Sequence, residues 1–247
     1  MRRAFWLAGG LAALAAVIVA GAILVLDPFS GSSGDGGDAG ESSLQKTLRK
    51  MVLLEGDLPE TLIKDDESFT TNEQLIASSV DPEARRALLE SWGRLLGYEI
   101  TYGPGADPGA LPVQGIDVSS SLYKTARGAG ESFADAVKTA EATDWAANYA
   151  GLEEFRQEAI NAKGLADEIV WLRLSGLQPA TSGPPAQVTD DLIFFRIGTE
   201  RGFLRVLASS TEMKDPNYLH STVESWLRAL IKNVRAALPG AADESGG

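Results

Sequence analysis

No cysteine occurs in the 247 residues, and there is a single histidine, His220. The first absence rules out disulfide staples, thiolate zinc sites, a cysteine nucleophile and lipidation of a cysteine, so packing alone must stabilise the folded part. The second leaves an all-oxygen site as the only common route to a metal, and no metal or cofactor site is expected. Net positive charge is lacking too. The formal charge is −12, and without Arg2 and Arg3 it is −14. Such a surface repels nucleic acid and anionic headgroups, so no nucleic-acid partner is expected. Also missing are the Gly-x-Ser-x-Gly elbow and the glycine-rich phosphate loops.

Charge is absent for one long stretch. Ala4 to Leu26 is a run of 23 residues with no ionisable side chain and no proline, directly behind Arg2-Arg3 and ending at Asp27-Pro28. At about 1.5 Å per residue a helix of that length spans the ~30 Å hydrocarbon core. Residues 1–28 therefore read as a short cytoplasmic stub and a transmembrane signal-anchor helix, with the bilayer as partner for residues 4–26. The arginines mark the cytoplasmic side and place everything after Asp27 outside. A cleaved signal peptide is the rival reading. Its apolar core would be shorter, and Ile23-Leu24-Val25-Leu26 is a poor cleavage context, although Ala20-Gly21-Ala22 could serve.

Residues 29–43 form a Gly/Ser/Asp linker by composition, spanning roughly 20 Å as a coil. Residues 240–247 form a disordered tail. Between them, 44–239 reads as one extracytoplasmic domain, large enough to bury its own core.

The domain mixes periodicities. Leu44–Leu54 is a short helix or extended lead-in. Asp81 to Leu96 carries a helix, with Asp81 as N-cap, Pro82 at N1, Gly97 as its end, and Leu88, Leu89, Trp92, Leu95 and Leu96 on one stripe. Tyr98–Tyr102 follows as a strand and Gly103–Pro112 as a loop. Ile116, Val118, Ser120 and Leu122 alternate as a strand. Thr125–Ala142 is a helix with Phe133, Val137 and Ala140 inward. Leu152–Ile160 is extended, Ile169–Leu174 is a strand, and Gln178–Gln187 is a loop. Leu192–Ile197 and Gly202–Ala208 form a hairpin turning at Gly198-Thr199-Glu200-Arg201. Asp215–Leu238 is the final helix, with Val223, Trp226, Leu227, Leu230, Ile231 and Val234 as a stripe for the domain's own sheet. The expected class is α+β: an antiparallel sheet with helices packed mainly on one face, preceded by the N-terminal transmembrane helix.

Two groups of residues are candidates for function. Tyr98, Tyr102, Tyr123, Trp145 and Tyr149 would line a shallow ligand pocket if several point off an uncovered sheet face. The carboxylate pairs Asp65-Asp66-Glu67, Glu153-Glu154, Asp167-Glu168 and Asp190-Asp191 read as turn and edge charge, because neighbours on a strand point to opposite faces. A hydrolase would instead require Asp65, Asp167 and Asp190 to gather in one concave pocket. His220 is expected on the polar side of its helix, with no assigned base role and no catalytic residue nominated.

Four stretches resemble a known family. They are Leu53-Leu54-Glu55-Gly56-Asp57-Leu58-Pro59, Ser119-Ser120-Ser121-Leu122-Tyr123-Lys124-Thr125-Ala126 before a helix with Phe133, Gly164-Leu165-Ala166-Asp167-Glu168, and Phe194-Phe195-Arg196-Ile197-Gly198. Their order over residues 50–238 resembles the extracytoplasmic sensor-like domains of mycobacterial receptor kinases and related lipoproteins. This chain departs from them in lacking their stapling cysteines and a kinase domain inside the membrane. The resemblance implies a non-enzymatic α+β module that binds a ligand, an envelope component or a membrane protein, and it transfers no catalytic residue. The alternatives are a carboxylate- or metal-dependent envelope hydrolase and a structural assembly subunit of a membrane complex.

Overall fold

The computed structural model describes residues 41–106 and 111–238. The uncharged run 4–26, the linker up to residue 40, the tail 240–247 and part of the loop after Gly103 lie outside the described residues. Among those described, no helix is long and apolar enough to cross a membrane.

Helix starts are written in local chemistry. Ser42 opens α1 (Ser43–Leu48) with a capping box: Gln45 N donates to Ser42 Oγ, and Ser42 N donates to Gln45 Oε1. Thr71 and Gln74 do the same for α2 (Asn72–Ala77). Asp81 caps α3 (Pro82–Trp92), Thr125 caps α4 (Ala126–Ala142) and Asp144 caps α5 (Trp145–Asn148), each side chain accepting from the third backbone N–H beyond it. The final helix, α6 (His220–Ala237), starts without a side-chain cap.

The Asp81 cap and Pro82 match the expectation, but α3 is shorter than its stripe suggested. Gly93, at φ 65°, ends it. Leu95 and Leu96 belong to a strand that begins at Arg94. The last helix also starts later than Asp215, after a turn in which Asn217 N donates to Asp215.

Seven strands form one antiparallel sheet. They are β1 (Leu62–Thr70), β2 (Arg94–Pro104), β3 (Val113–Tyr123), β4 (Glu153–Ile160), β5 (Glu168–Gln178), β6 (Ala186–Ile197) and β7 (Glu200–Ser210), in the order β1-β2-β3-β7-β6-β5-β4. Two meanders are thereby fused: β1 to β3 from one edge, and β4 to β7 folding back from the other. They join where Ile116 meets Val206 and Val118 meets Leu204. The β6–β7 turn is tighter than four residues, since Ile197 pairs with Glu200.

Helices cover both faces of the sheet, which corrects the one-face expectation. The stripe of α6 packs with Leu48, Met51, Leu53, Tyr102, Ile193, Phe195 and Val206 on one face. On the other face Phe133 and Ala140 of α4 and Trp145 and Tyr149 of α5 pack with Leu172, Leu174, Leu192 and Phe194. The reason lies in β6. Leu192, Ile193, Phe194 and Phe195 are consecutive and all buried, and a strand apolar at both parities needs cover on both sides. A third cluster joins Leu75, Leu89, Trp92, Tyr123 and Ala129 where α2, α3 and α4 meet the sheet.

Candidate functional site

The five aromatic candidates are all inside the protein, and the structure does not bring them together. Tyr98 and Tyr102 belong to the α6-side core, Trp145 and Tyr149 to the opposite face, and Tyr123 to the third cluster. Each polar atom has an internal partner. Tyr98 Oη donates to Glu67 Oε2 at 2.6 Å, Tyr102 Oη to Leu53 O at 2.7 Å, and Trp145 Nε1 to Ala140 O at 2.8 Å. Tyr123 Oη lies 2.7 Å from Ser132 Oγ, and Tyr149 Oη donates to Asp190 Oδ2. They do not stand on an uncovered face.

Carboxylates divide by position. Asp65, Asp66 and Glu67 lie on edge strand β1, and Glu153 and Glu154 on edge strand β4, as edge charge. Asp167 and Glu168 hold a turn: Gly198 N donates to Asp167 Oδ2 at 2.8 Å, and Arg196 pairs with both carboxylates.

The pair Asp190-Asp191 departs from the edge-charge expectation. Both residues sit in β6, inside the sheet, and are 0% and 2% exposed. Their alternation sends them to opposite faces, where each meets its own arginine. Arg205 Nη2 donates to Asp190 Oδ2 at 2.7 Å, and Asp117 Oδ2 stands 3.5 Å from Arg205 Nη1. Across the sheet, Arg173 reaches Asp191 through Nε and Nη2 at 2.8 and 3.0 Å. Trp171 Nε1 donates to the same carboxylate at 2.7 Å, and Asn217 Oδ1 accepts from Arg173 Nη1.

Burial pushes the Asp117 carboxyl upward against the pull of Arg205. Burial likewise opposes the Arg205 charge, but Asp190 outweighs it and the guanidinium is held above its ordinary range. A buried charge needs such partners, and here each has one.

A third constellation holds the lead-in to the sheet edge. Arg49 pairs with Glu41 at 2.7 Å and Glu67 at 2.8 Å, and its guanidinium lies over the rings of Phe69 and Tyr98. Burial is the largest single influence on the Glu67 carboxyl and raises it, but Tyr98 and Arg49 together outweigh it and hold the group at about 2. Burial, with Glu55 and Asp57 nearby, pushes the Tyr102 phenol up to about 12.

His220 stacks on Trp171, with ring centroids 5.1 Å apart, and its Nε2 lies 3.8 Å from Glu224. Asp65, Asp167 and Asp190 occupy an edge strand, a turn and the sheet interior, so the trio required for the hydrolase reading is not assembled. Among the described residues, no group of three His, Asp or Glu stands close enough to hold a metal ion. A shallow depression between α2 and α3 has Glu73, Arg86 and Glu90 around Ile76 and Leu89.

Charges within apolar strand segments were the available signal for the paired interior groups. Arg173 follows Trp171-Leu172, Asp190-Asp191 precede Leu192-Ile193-Phe194-Phe195, and Arg205 interrupts Phe203-Leu204 and Val206-Leu207. Plus, minus-minus and plus on three consecutive strands is a complementary set.

No family model matches the chain, and no curated protein matches it. Among solved structures, the extracellular domain of PknH from Mycobacterium tuberculosis is similar at 9% sequence identity, covering 83% of this chain and 98% of that one, with a TM-score of 0.43. It is a loose likeness of architecture at that level.

Proposed function

We propose that the protein is a single-pass, membrane-anchored module whose α+β domain is displayed outside the cytoplasm and binds an envelope component or a membrane protein without catalysing a reaction. The observation that carries this reading is the uncharged run from Ala4 to Leu26 behind Arg2-Arg3, followed by a linker leading directly into α1. The domain's interior supports the second half. Asp190 and Asp191 are committed to Arg205 and Arg173, and the carboxylates a hydrolase would use are dispersed. Binding in this reading uses the outer surface. The assembly-subunit alternative draws no support from α6, whose apolar stripe is spent on the sheet.

Membrane fractions of cells making the full-length chain test the anchor. The protein should resist washing with high salt and alkaline carbonate, dissolve in detergent, and be digested by protease added outside intact cells. Release by mild salt alone would remove the anchor. Protection from external protease would reverse the orientation. Mass spectrometry of the detergent-solubilised protein should then find a stoichiometric protein, lipid or glycan; repeated isolation of the bare chain would remove the binding role.

A further inference from the structure

Among the described residues, Glu200 is the buried carboxylate with an oxygen left without a hydrogen-bond partner. It opens β7 just after the Gly198-Thr199 turn and is 0% exposed. Ser120 Oγ donates to its Oε1 at 2.9 Å, while Oε2 has no hydrogen-bond partner. The same Ser120 hydroxyl lies 3.8 Å from Met51 Sδ. The hydroxyl that holds the carboxyl thus also meets the lead-in, residues 43–58, through which the linker enters the fold.

The surrounding charges do not neutralise it. On β7, Arg201 is adjacent, but its Nη1 donates to Ser132 on the opposite side of the sheet. On β6, Arg196 is taken by Asp167 and Glu168. On the lead-in, Arg49 is held by Glu41 and Glu67, and Lys50 is exposed. From β2, Tyr98 and Tyr102 face this core with both hydroxyls engaged. The stripe α6 turns inward is apolar.

We propose that Glu200 is a proton-operated latch: its neutral carboxyl lets the lead-in close over the sheet, and loss of the proton to solvent lifts the lead-in while the sheet stays formed. An unpaired carboxylate cannot remain in an apolar core, so ionisation must admit water, and the weakest wall yields. The other walls are firm. β3, β6 and β7 lie inside the sheet, and the turn is fixed by Gly198 N to Asp167 and by Tyr123 N to Thr199 O. The lead-in has no strand ladder. Side chains hold it instead: Tyr102 on Leu53 O, Asn233 on Val52 O, and Arg49 on Glu67 and Tyr98. Burial, partly offset by Ser120 and Arg201, keeps the carboxyl well above its ordinary range while the lead-in is closed. The closed form is thus favoured at low pH and is lost as pH rises toward the closed-state value.

Hydrogen exchange on the full-length chain in detergent, corrected for the intrinsic pH dependence, reads the latch directly. Between about pH 6 and pH 9, protection at the amides of Arg49, Lys50 and Met51 should fall by up to tenfold per pH unit, the slope for one proton. Protection in β6 and β7 should hold. In Glu200→Gln, which keeps the shape and cannot ionise, lead-in protection should be flat. The same pH slope in wild type and Glu200→Gln would overturn the proposal, as would flat wild-type protection or concurrent loss of protection across the sheet. Ser120→Ala gives a second reading should Glu200→Gln fold poorly. Removing the donor that stabilises the closed carboxylate leaves the open form unchanged. The lead-in should then open more readily and lose protection at lower pH, and an unmoved profile would overturn the latch.

Discussion

Single residues in this domain matter chiefly through buried charge. Arg205 serves Asp190 from the neighbouring strand with both groups almost fully buried, so Arg205→Met leaves a carboxylate and the Tyr149 hydroxyl without their cation. Breaking such a pair should cost about 3–5 kcal/mol in urea unfolding at neutral pH. Replacing Asp190 by Leu together with Arg205 by Met should recover much of that loss, because the pair's own desolvation cost disappears with it. Glu67 acts at the other end of the pH scale. Its folded value of about 2 lies below the ordinary 4.5, so its contribution is complete above pH 4.5 and is lost as pH falls toward 2. Urea midpoints at pH 7 and pH 3 should differ less in Glu67→Gln than in wild type, and an unchanged difference would deny Glu67 that role. The charged residues within apolar segments were visible in sequence. Which carboxylate meets which arginine was not, because that depends on strand register set by pairings distant along the chain.

At the scale of elements, helix boundaries were legible where a local signal wrote them: the ends at Ala142 and Leu238 fell where expected, while the start expected at Asp215 did not. Asp81-Pro82 and Thr125 are local signals that act on the next three N–H groups, and the structure uses them. The end of α3 was misplaced because Leu95 and Leu96 continue a helical stripe by coincidence, while Gly93 adopts the left-handed conformation. The short helices and β1 were harder still: Lys64-Asp65-Asp66-Glu67 shows no apolar alternation, since an edge strand exposes most of its residues. Two glycines record close approaches that no one-dimensional pattern displays. A Cβ at Gly202 would stand 2.0 Å from the Phe195 ring, and one at Gly128 would stand 1.8 Å from the carbonyl oxygen of Trp92. Gly202→Ala must push an aromatic side chain out of a packed core and should lose roughly 1–3 kcal/mol in thermal or urea unfolding. Gly128→Ala must move α4 off the end of α3, since backbone cannot rotate away, and should cost at least as much. Removal of everything after Leu207 would strip α6 from the sheet and expose Ile193, Phe195 and Val206, so that fragment should lose cooperative unfolding by circular dichroism.

Across the whole molecule, the sheet is open at two ends and both ends are charged. β1 and β4 are its outer strands, carrying Lys64, Asp65, Asp66 and Glu67 on one and Glu153, Glu154, Arg156 and Glu158 on the other. Each has a register irregularity against its neighbour, at Lys64/Asp66 and at Glu153/Arg156, where Glu154 takes a φ of 52°. Charge and bulges make an exposed ladder a poor template for a second copy. The net charge of −12 adds long-range repulsion between copies. The order of the strands was beyond sequence, because β7 closes on β3 across the intervening α4, α5 and three other strands; the acidity that protects their edges was not. Replacing Arg156 and Glu158 by Val leaves the backbone pairing of β4 with β5 unchanged while making the edge strand more apolar and β-prone. The double variant should keep its fold by circular dichroism yet self-associate in a concentration-dependent way by sedimentation velocity, to a greater extent in high salt, where the residual repulsion is screened. A variant that remains as monodisperse as wild type at every salt concentration would mean that the bulge at Glu154, rather than the charges beyond it, is what closes this edge.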